Sequence, residues 1–162
     1  MAETLCAAGT AAGDARAVVA RLFTFVGPGL ALDAHFAAGN FIGDALTGRP
    51  VVVRGDGSSV RSYLYAGNLT RWLLALLVRG APGRAYNVGS SEEVTITGLA
   101  QQVASLAVPP TTVQVQQQPR RDASAHVYVP VIERTRRELG LSVRTPLPEA
   151  LARTLAWHRS RP

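Results

Sequence analysis

The residues best suited to chemistry in this 162-residue chain are its cations, and all 17 of them are arginine. A guanidinium stays charged at physiological pH and presents a planar fork of N–H donors that matches phosphate oxygens. Arg61 stands out by position. It follows the turn Gly55-Asp56-Gly57-Ser58 and opens the extended segment Arg61-Ser62-Tyr63-Leu64-Tyr65. There it can grip a phosphate bidentately, or sit as a surface arginine on an edge strand. The lack of lysine closes Schiff-base, P-loop and Tyr-x-x-x-Lys chemistry to this polypeptide on its own. Tyr63 and Tyr65 therefore have no lysine to lower a phenol pKa and are not expected to act as acid or base. His35, His126 and His158 are far apart, with no cysteine or acidic spacing that reads as a zinc site. Cys6 reads as a small core residue on an alanine-rich helix, and no serine occupies a G-x-S-x-G elbow. The sequence thus predicts neither a catalytic residue nor a metal site.

The formal net charge is +6, from 17 basic against 11 acidic residues. Such an excess suits a nucleic-acid or phosphate binder, and it is equally what an arginine-rich, GC-rich coding sequence produces. The arginines are scattered singly; only Arg120-Arg121 and Arg136-Arg137 are adjacent, and no aromatic residues interleave with them as a stacking platform requires. A nucleic-acid partner is not expected. With 47% hydrophobic and 17% charged residues the chain reads as one globular domain. The longest apolar run, Leu73 to Val78, falls well short of the roughly 18 residues of a membrane span. No basic region precedes the small residues at the start, so no secretory signal is expected. A single cysteine fits a reducing, cytoplasmic setting.

Positioning elements follow from periodicity and punctuation. Residues 1–15 read as a helix, Ala2 to Ala8 or a little further, loosened by Gly9 and Gly13. Ala17 to Phe23 is a short apolar run of the kind found in buried parallel strands, followed by the turn Gly27-Pro28-Gly29. A helix is predicted from Leu32 to Thr47, closed by Gly48, then a strand at Val51-Val52-Val53. Asn68 is the predicted N-cap of a helix with Leu69, Trp72, Leu73, Leu76 and Leu77 on one face. A strand at Ala85 to Val88, a helix capped by Thr95 or Thr97, and a strand at Thr112 to Val115 come next. A polar loop at 116–126 and helices at Val131–Leu139 and Leu147–His158 complete an α/β order.

Four segments, in this order, resemble the extended short-chain dehydrogenase/reductases. Ala20-Arg21-Leu22-Phe23-Thr24-Phe25-Val26-Gly27-Pro28-Gly29 is similar to the family's A-R-x-F-N-x-Y-G-P. Val53-Arg54-Gly55-Asp56-Gly57 with Arg61-Ser62-Tyr63-Leu64-Tyr65-Ala66 is the second, and Ala85-Tyr86-Asn87-Val88-Gly89-Ser90 the third. Glu138-Leu139-Gly140-Leu141, with Pro148-Glu149-Ala150-Leu151 and Thr154-Leu155-Ala156-Trp157-His158, is the fourth. The set looks like the NAD-dependent epimerase/dehydratase group, dTDP-glucose 4,6-dehydratase and sugar-nucleotide epimerases in particular. The resemblance implies an α/β fold that is the C-terminal part of an NAD(P)-binding Rossmann-like enzyme, including its smaller substrate-binding domain. On this reading residues 1–30 are the last helix and strand of the Rossmann core, and 31–162 are mainly substrate-binding. Neither a G-x-G-x-x-G nor a G-x-x-G-x-x-G turn occurs here, and the family's Tyr-x-x-x-Lys is expected to lie before Met1. The chain is thus expected to be truncated, with NAD or NADP belonging to the complete enzyme and none bound by this chain alone.

Carried over residue by residue, the resemblance places Arg21, Thr24, Asn40 and Arg61 on the substrate, a nucleotide-diphosphate sugar, and Phe23 on the cofactor side of the cleft. Arg21 has the alternative of a strand-end ion pair and Asn40 that of a plain helix-face asparagine, while Asn87 is expected to serve buried backbone groups rather than the ligand. Thr24 stands where the family often has asparagine and removes a donor. Asn68, Val127 and Val131 replace an aspartate, an arginine and an aspartate usual in the family, with His126 or Arg121 as partial substitutes. The expected function is the substrate-binding portion of a sugar-nucleotide epimerase/dehydratase, inactive alone. The competing expectation is a non-enzymatic sugar-nucleotide binder or an interaction module that pairs with a second copy or a complementary subunit.

Overall fold

The computed structural model describes residues 1–34, 36–118 and 125–161; His35, Arg120 and Arg121 lie outside them. Helix α1 (Ala2–Ala12) closes on Gly13 in the left-handed conformation and buries no residue of its own. Strand β1 (Val19–Leu22) follows, and two residues later β2 (Phe25–Val26). Helix α2 (Ala37–Leu46) leads to β3 (Val51–Val53), β4 (Val60–Arg61), β5 (Leu64–Tyr65) and the long helix α3 (Ala66–Arg79). Then come β6 (Ala85–Val88), β7 (Val94–Thr95), α4 (Ile96–Leu106), β8 (Val113–Val115), β9 (Val127–Tyr128), α5 (Glu133–Leu139) and α6 (Leu147–Arg159). The α/β expectation holds.

The strands pair in short, mostly parallel sets. β1 runs parallel to β6, β2 to β5 and β3 to β8, while β4 sits between antiparallel β7 and parallel β9. Parallel pairs need long crossovers with cover on their faces, and two apolar clusters provide it. In one, α2, α4 and α6 pack around β3 through Phe41, Ile42, Val51, Val53, Leu99, Val103, Leu151 and Leu155. In the other, α3 and α5 pack on β6 through Trp72, Leu76, Tyr86, Val88 and Leu139. Among the described residues no strand pairs with the second edge of β1.

Three departures from the expected elements have local causes. Helix α2 begins at Ala37 instead of Leu32 because residues 31–32 cross its face: a Cβ on Gly39 would collide with the Ala31 carbonyl oxygen. Asn68 does not cap α3, which starts at Ala66 with Tyr65 as N-cap; its Oδ1 accepts instead from the Arg144 N–H at 3.2 Å. The segment 61–65 divides because β4 and β5 belong to different sheets, with Ser62 and Tyr63 buried between them. Thr95 does cap α4, accepting from the Gly98 N–H at 3.0 Å.

Helix α5 is pinned to β6 by polar contacts. Glu138 accepts from the Tyr86 hydroxyl at 2.9 Å and from Arg84, and the Tyr86 oxygen accepts from the Ala81 N–H. Thr135 donates to the Asn87 carbonyl, and the Asn87 amide donates to the Val131 carbonyl, each at 2.8 Å. Asn87 therefore serves backbone groups.

Two predictions follow from this packing. Gly39→Ala, blocked by backbone, costs roughly 1–3 kcal/mol, whereas Gly9→Ala on open helix surface is neutral or stabilising by up to about 1 kcal/mol; paired urea melts check both. The Tyr86 hydroxyl, then Arg84, holds the Glu138 carboxyl below its ordinary 4.5. That contribution is complete above the ordinary value and is lost as pH falls through the lower folded value. Glu138→Gln therefore lowers the thermal midpoint at neutral pH and flattens its decline between about pH 5 and pH 3; parallel curves for the two proteins would contradict this.

Candidate functional site

The crossing from β1 to β2 builds a cavity. The Phe23 N–H donates to the Val88 carbonyl and the Leu64 N–H to the Thr24 carbonyl, each at 3.0 Å. Within two residues the backbone thus leaves β6 and joins β5. The Thr24 hydroxyl donates to the Ser62 carbonyl. Around this crossing lies a cavity of about 530 Å³, a size that suits a small ligand. Its lining comprises Leu22, Phe23, Thr24, Phe25, Leu30, Phe36, Arg61, Tyr63, Ile96 and Tyr128, with Ala37 and Ala38 of α2.

Arg61 is the one charged residue in that lining among the described residues. Its Nη1 donates to the Val60 and His126 carbonyls, both at 2.8 Å, which fixes one arm of the fork. The parallel register of β4 and β9 sets Arg61 opposite Tyr128, and the guanidinium carbon lies 5.9 Å from the Tyr128 ring centre. The same ring stacks on Phe23, with centres 4.8 Å apart and planes inclined by 29°. Phe23, Tyr128 and Arg61 thus form a continuous aromatic–cationic wall. Tyr63 is 7% exposed, and burial pushes its phenol up to about 12, so at neutral pH it is a protonated donor and no base.

A second cleft of about 310 Å³ adjoins the first and shares Ala37 and Ile96 with it. Asn40, Val52, Val53, Arg54, Gly55, Asp56, Gly57 and Ser59 line it. The Gly55–Ser58 turn is locked from both sides. The Ser58 N–H and hydroxyl donate to Asp56 Oδ1 at 3.0 and 2.9 Å and hold its carboxyl below the ordinary carboxylate value. Gly57, at φ 71°, abuts Thr97, whose N–H donates to its carbonyl at 3.1 Å.

The structure therefore brings Phe23, Thr24 and Arg61 to one cavity and puts Asn40 in the adjoining cleft. Arg21 lines neither. It is exposed and pairs in a fork with Glu3 of α1 at 2.8 and 2.6 Å, each group favouring the other's charged form. Sequence reasoning missed Tyr63, Tyr128 and the exposed Phe36 as cavity residues. The alternation Val127-Tyr128-Val129 hints at a strand, but only the long-range register places Tyr128 against Arg61. Val127 and Val131 are largely exposed, while His126 contributes its carbonyl to Arg61. No group of three or more metal-ligating side chains, and no helix long and apolar enough to cross a membrane, occurs among the described residues.

A dinucleotide would need a glycine turn between a parallel strand and a helix N-terminus, and the described residues do not fit it. β1 runs into β2, β6 runs into a loop, and where β5 meets α3 the start of the helix is closed by Gly27 packed against Ala66.

Comparison with known proteins supplies the family. Residues 1–89 match the NAD dependent epimerase/dehydratase family. UDP-glucuronic acid decarboxylase 1 of Arabidopsis thaliana is 29% identical over 143 residues, 88% of this chain and 32% of that protein. The solved epimerase Mth375 from Methanothermobacter thermautotrophicus superposes with a TM-score of 0.84 at 28% identity, covering 98% of this chain and 47% of the other. Bordetella bronchiseptica WbmF, in complex with NADH, superposes at 0.85 with 25% identity over 98% of this chain and 50% of WbmF; WbmF has also been solved with NAD+ and UDP. The chain thus spans about a third of the curated relative and about half of the solved ones.

These matches correct the expectation of a C-terminal part alone. The family match falls on residues 1–89, the N-terminal part of the chain, and the structural neighbours align from its N-terminus. The matched stretch runs from α1 through β6, and β1 and β6 pair within it as parallel strands. The fold is an α/β, Rossmann-like portion amounting to about half of an extended short-chain dehydrogenase/reductase, with its family domain at residues 1–89. With more than half of its residues matched, the chain belongs to the NAD dependent epimerase/dehydratase family.

Proposed function

We propose that this chain binds a nucleotide-diphosphate sugar in the cavity around Arg61 and performs no turnover unaided. The observation that carries the reading is the single guanidinium in a mostly apolar, aromatic-walled cavity. A lone cation in such a setting favours an anion, and the ring faces of Phe23 and Tyr128 favour a flat or cyclic group beside it. Thr24 orients its carbonyl environment, Tyr63 offers a neutral hydroxyl, and Asn40 with the Gly55–Ser58 turn extends the site into the second cleft for the rest of the nucleotide. In this reading the ligand sits across the division expected near residue 30, with Leu22, Phe23, Thr24, Phe25 and Leu30 on one side and Phe36, Arg61, Tyr63 and Tyr128 on the other.

Turnover is not proposed because the described residues of the site hold no tyrosine–lysine pair, and the carboxylate in the second cleft, Asp56, is tied up by Ser58. Tyr63 stays protonated, the chain has no lysine, and the described residues do not form a dinucleotide cradle. NAD or NADP is expected to leave this chain unchanged, although WbmF is seen with NADH. A second reading, an interaction module that pairs with another copy, is favoured by α1, which buries nothing, and by Leu74, Leu77 and Val78 on α3, which are exposed.

Calorimetric titration with UDP- and dTDP-sugars decides between them. The expected result is saturable binding of one sugar nucleotide and none of NAD. Arg61→Ala should weaken that binding by roughly 10- to 100-fold, the loss of a charge-assisted pair, and Arg61→Lys should fall between because it keeps the charge without the fork. A folded chain silent toward every sugar nucleotide would sink the binding reading and leave the interaction module.

A further inference from the structure

The face of α3 that meets residues 140–144 holds more N–H donors than acceptors. Asn68, Arg71 and Trp72 stand at i, i+3 and i+4, side by side on one helical face. Asn68 is 4% exposed and Trp72 fully buried. Because Asn68 Oδ1 accepts from the Arg144 N–H, the amide orientation is settled and Nδ2 is the free donor. Arg71 reaches the same loop, its Nη2 donating to the Ser142 carbonyl. Yet Asn68 Nδ2, Arg71 Nε and Trp72 Nε1 are all buried without an acceptor among the described residues. Unmet donors of this kind are costly, and a half-buried charge more so.

The charges agree with the donors. Burial and the neighbouring Arg144 charge both disfavour the cationic form of Arg71. Among the described residues the ion pairs go to Arg21, Arg49, Arg84 and Arg153, and none to Arg71 or Arg144. Arg136 and Arg137 of α5 line a shallow depression with Ser142, where Glu133 is the one acidic residue.

We propose that this donor cluster is a binding site for a phosphate-sized oxyanion, seated between α3 and the 140–144 loop and reached past the exposed Ser142 and Arg144. Such an anion supplies both what the three N–H groups lack and the negative charge that relieves Arg71 against Arg144. A water molecule supplies only the first. The site shares no residue with the cavity around Arg61 and stands independently of the sugar-nucleotide reading.

The chain has two tryptophans, Trp72 and Trp157, so their indole N–H signals report the site directly. The full chain, labelled with nitrogen-15, is titrated with inorganic phosphate against chloride at constant ionic strength. The expected result is a saturable shift of the Trp72 indole N–H with Trp157 unmoved. The thermal midpoint should rise by roughly 3–5 °C at about ten times the Kd. Asn68→Asp puts a carboxylate among the same donors; it should raise the midpoint without phosphate and abolish the Trp72 response. Arg144→Gln, at an exposed position, should weaken the response at least several-fold. A Trp72 signal that ignores phosphate, or responds equally in Asn68→Asp or Arg144→Gln, overturns the proposal.

Discussion

The crossing at residues 22–26 is the constraint on which the other contacts depend. The backbone leaves one parallel partner at the Phe23–Val88 bond and takes the next at the Thr24–Leu64 bond, with no residues to spare between them. Val26 then enters the core built by α2, α4 and α6, while Leu64, across the same junction, enters the core built by α3 and α5. Gly27 completes the crossing by passing against Ala66 at the start of α3, where a Cβ would collide with the Ala66 side chain. The two cores are thereby held at a fixed offset. The cavity opens at this crossing, lined by Phe23, Thr24 and Phe25 and by Ala38 and Tyr63 of the first core.

That geometry explains which parts of the fold were legible from the residues alone. Strands and helices bounded by strong punctuation were: Val51–Val53 before its Gly-Asp-Gly turn, α4 between Thr95 and Pro109-Pro110, and α6 after Pro146. Helix α3 was legible in its existence but only partly in its burial. Trp72 and Leu76 enter the core, whereas Leu77 of the same predicted stripe is 81% exposed. Periodicity marks the apolar face of a helix and says nothing of how wide a neighbour covers it, and here α5 has only seven residues. Helix α2 starts late for a reason local propensity does not contain, the backbone of residues 31–32 lying across Gly39.

The site divides the same way. Arg61 was singled out by its motif position after the Gly-Asp-Gly turn, and it lines the cavity. Tyr128 was not, because its place beside Arg61 depends on the β4–β9 register, which joins distant parts of the chain. Arg21 follows the alternative open to it, an ion pair at a strand end. Its motif position suggested the cleft, but Glu3 on α1 captures it outside. An exposed, solvent-screened pair of this kind orients a side chain but does little to hold a fold. Arg61 is instead set in the cavity wall, where the Val60 and His126 carbonyls hold its Nη1.

The central claim is that the wall formed by Phe23, Tyr128 and Arg61 receives a sugar nucleotide. The most direct measurement is the set of NMR contacts between bound UDP-glucose protons and the aromatic rings of the chain. The account predicts contacts from the ligand to the Phe23 and Tyr128 rings, with the Arg61 guanidinium signal shifting in step. Bound ligand that touches neither ring, or that perturbs only α3 and α5, would contradict it.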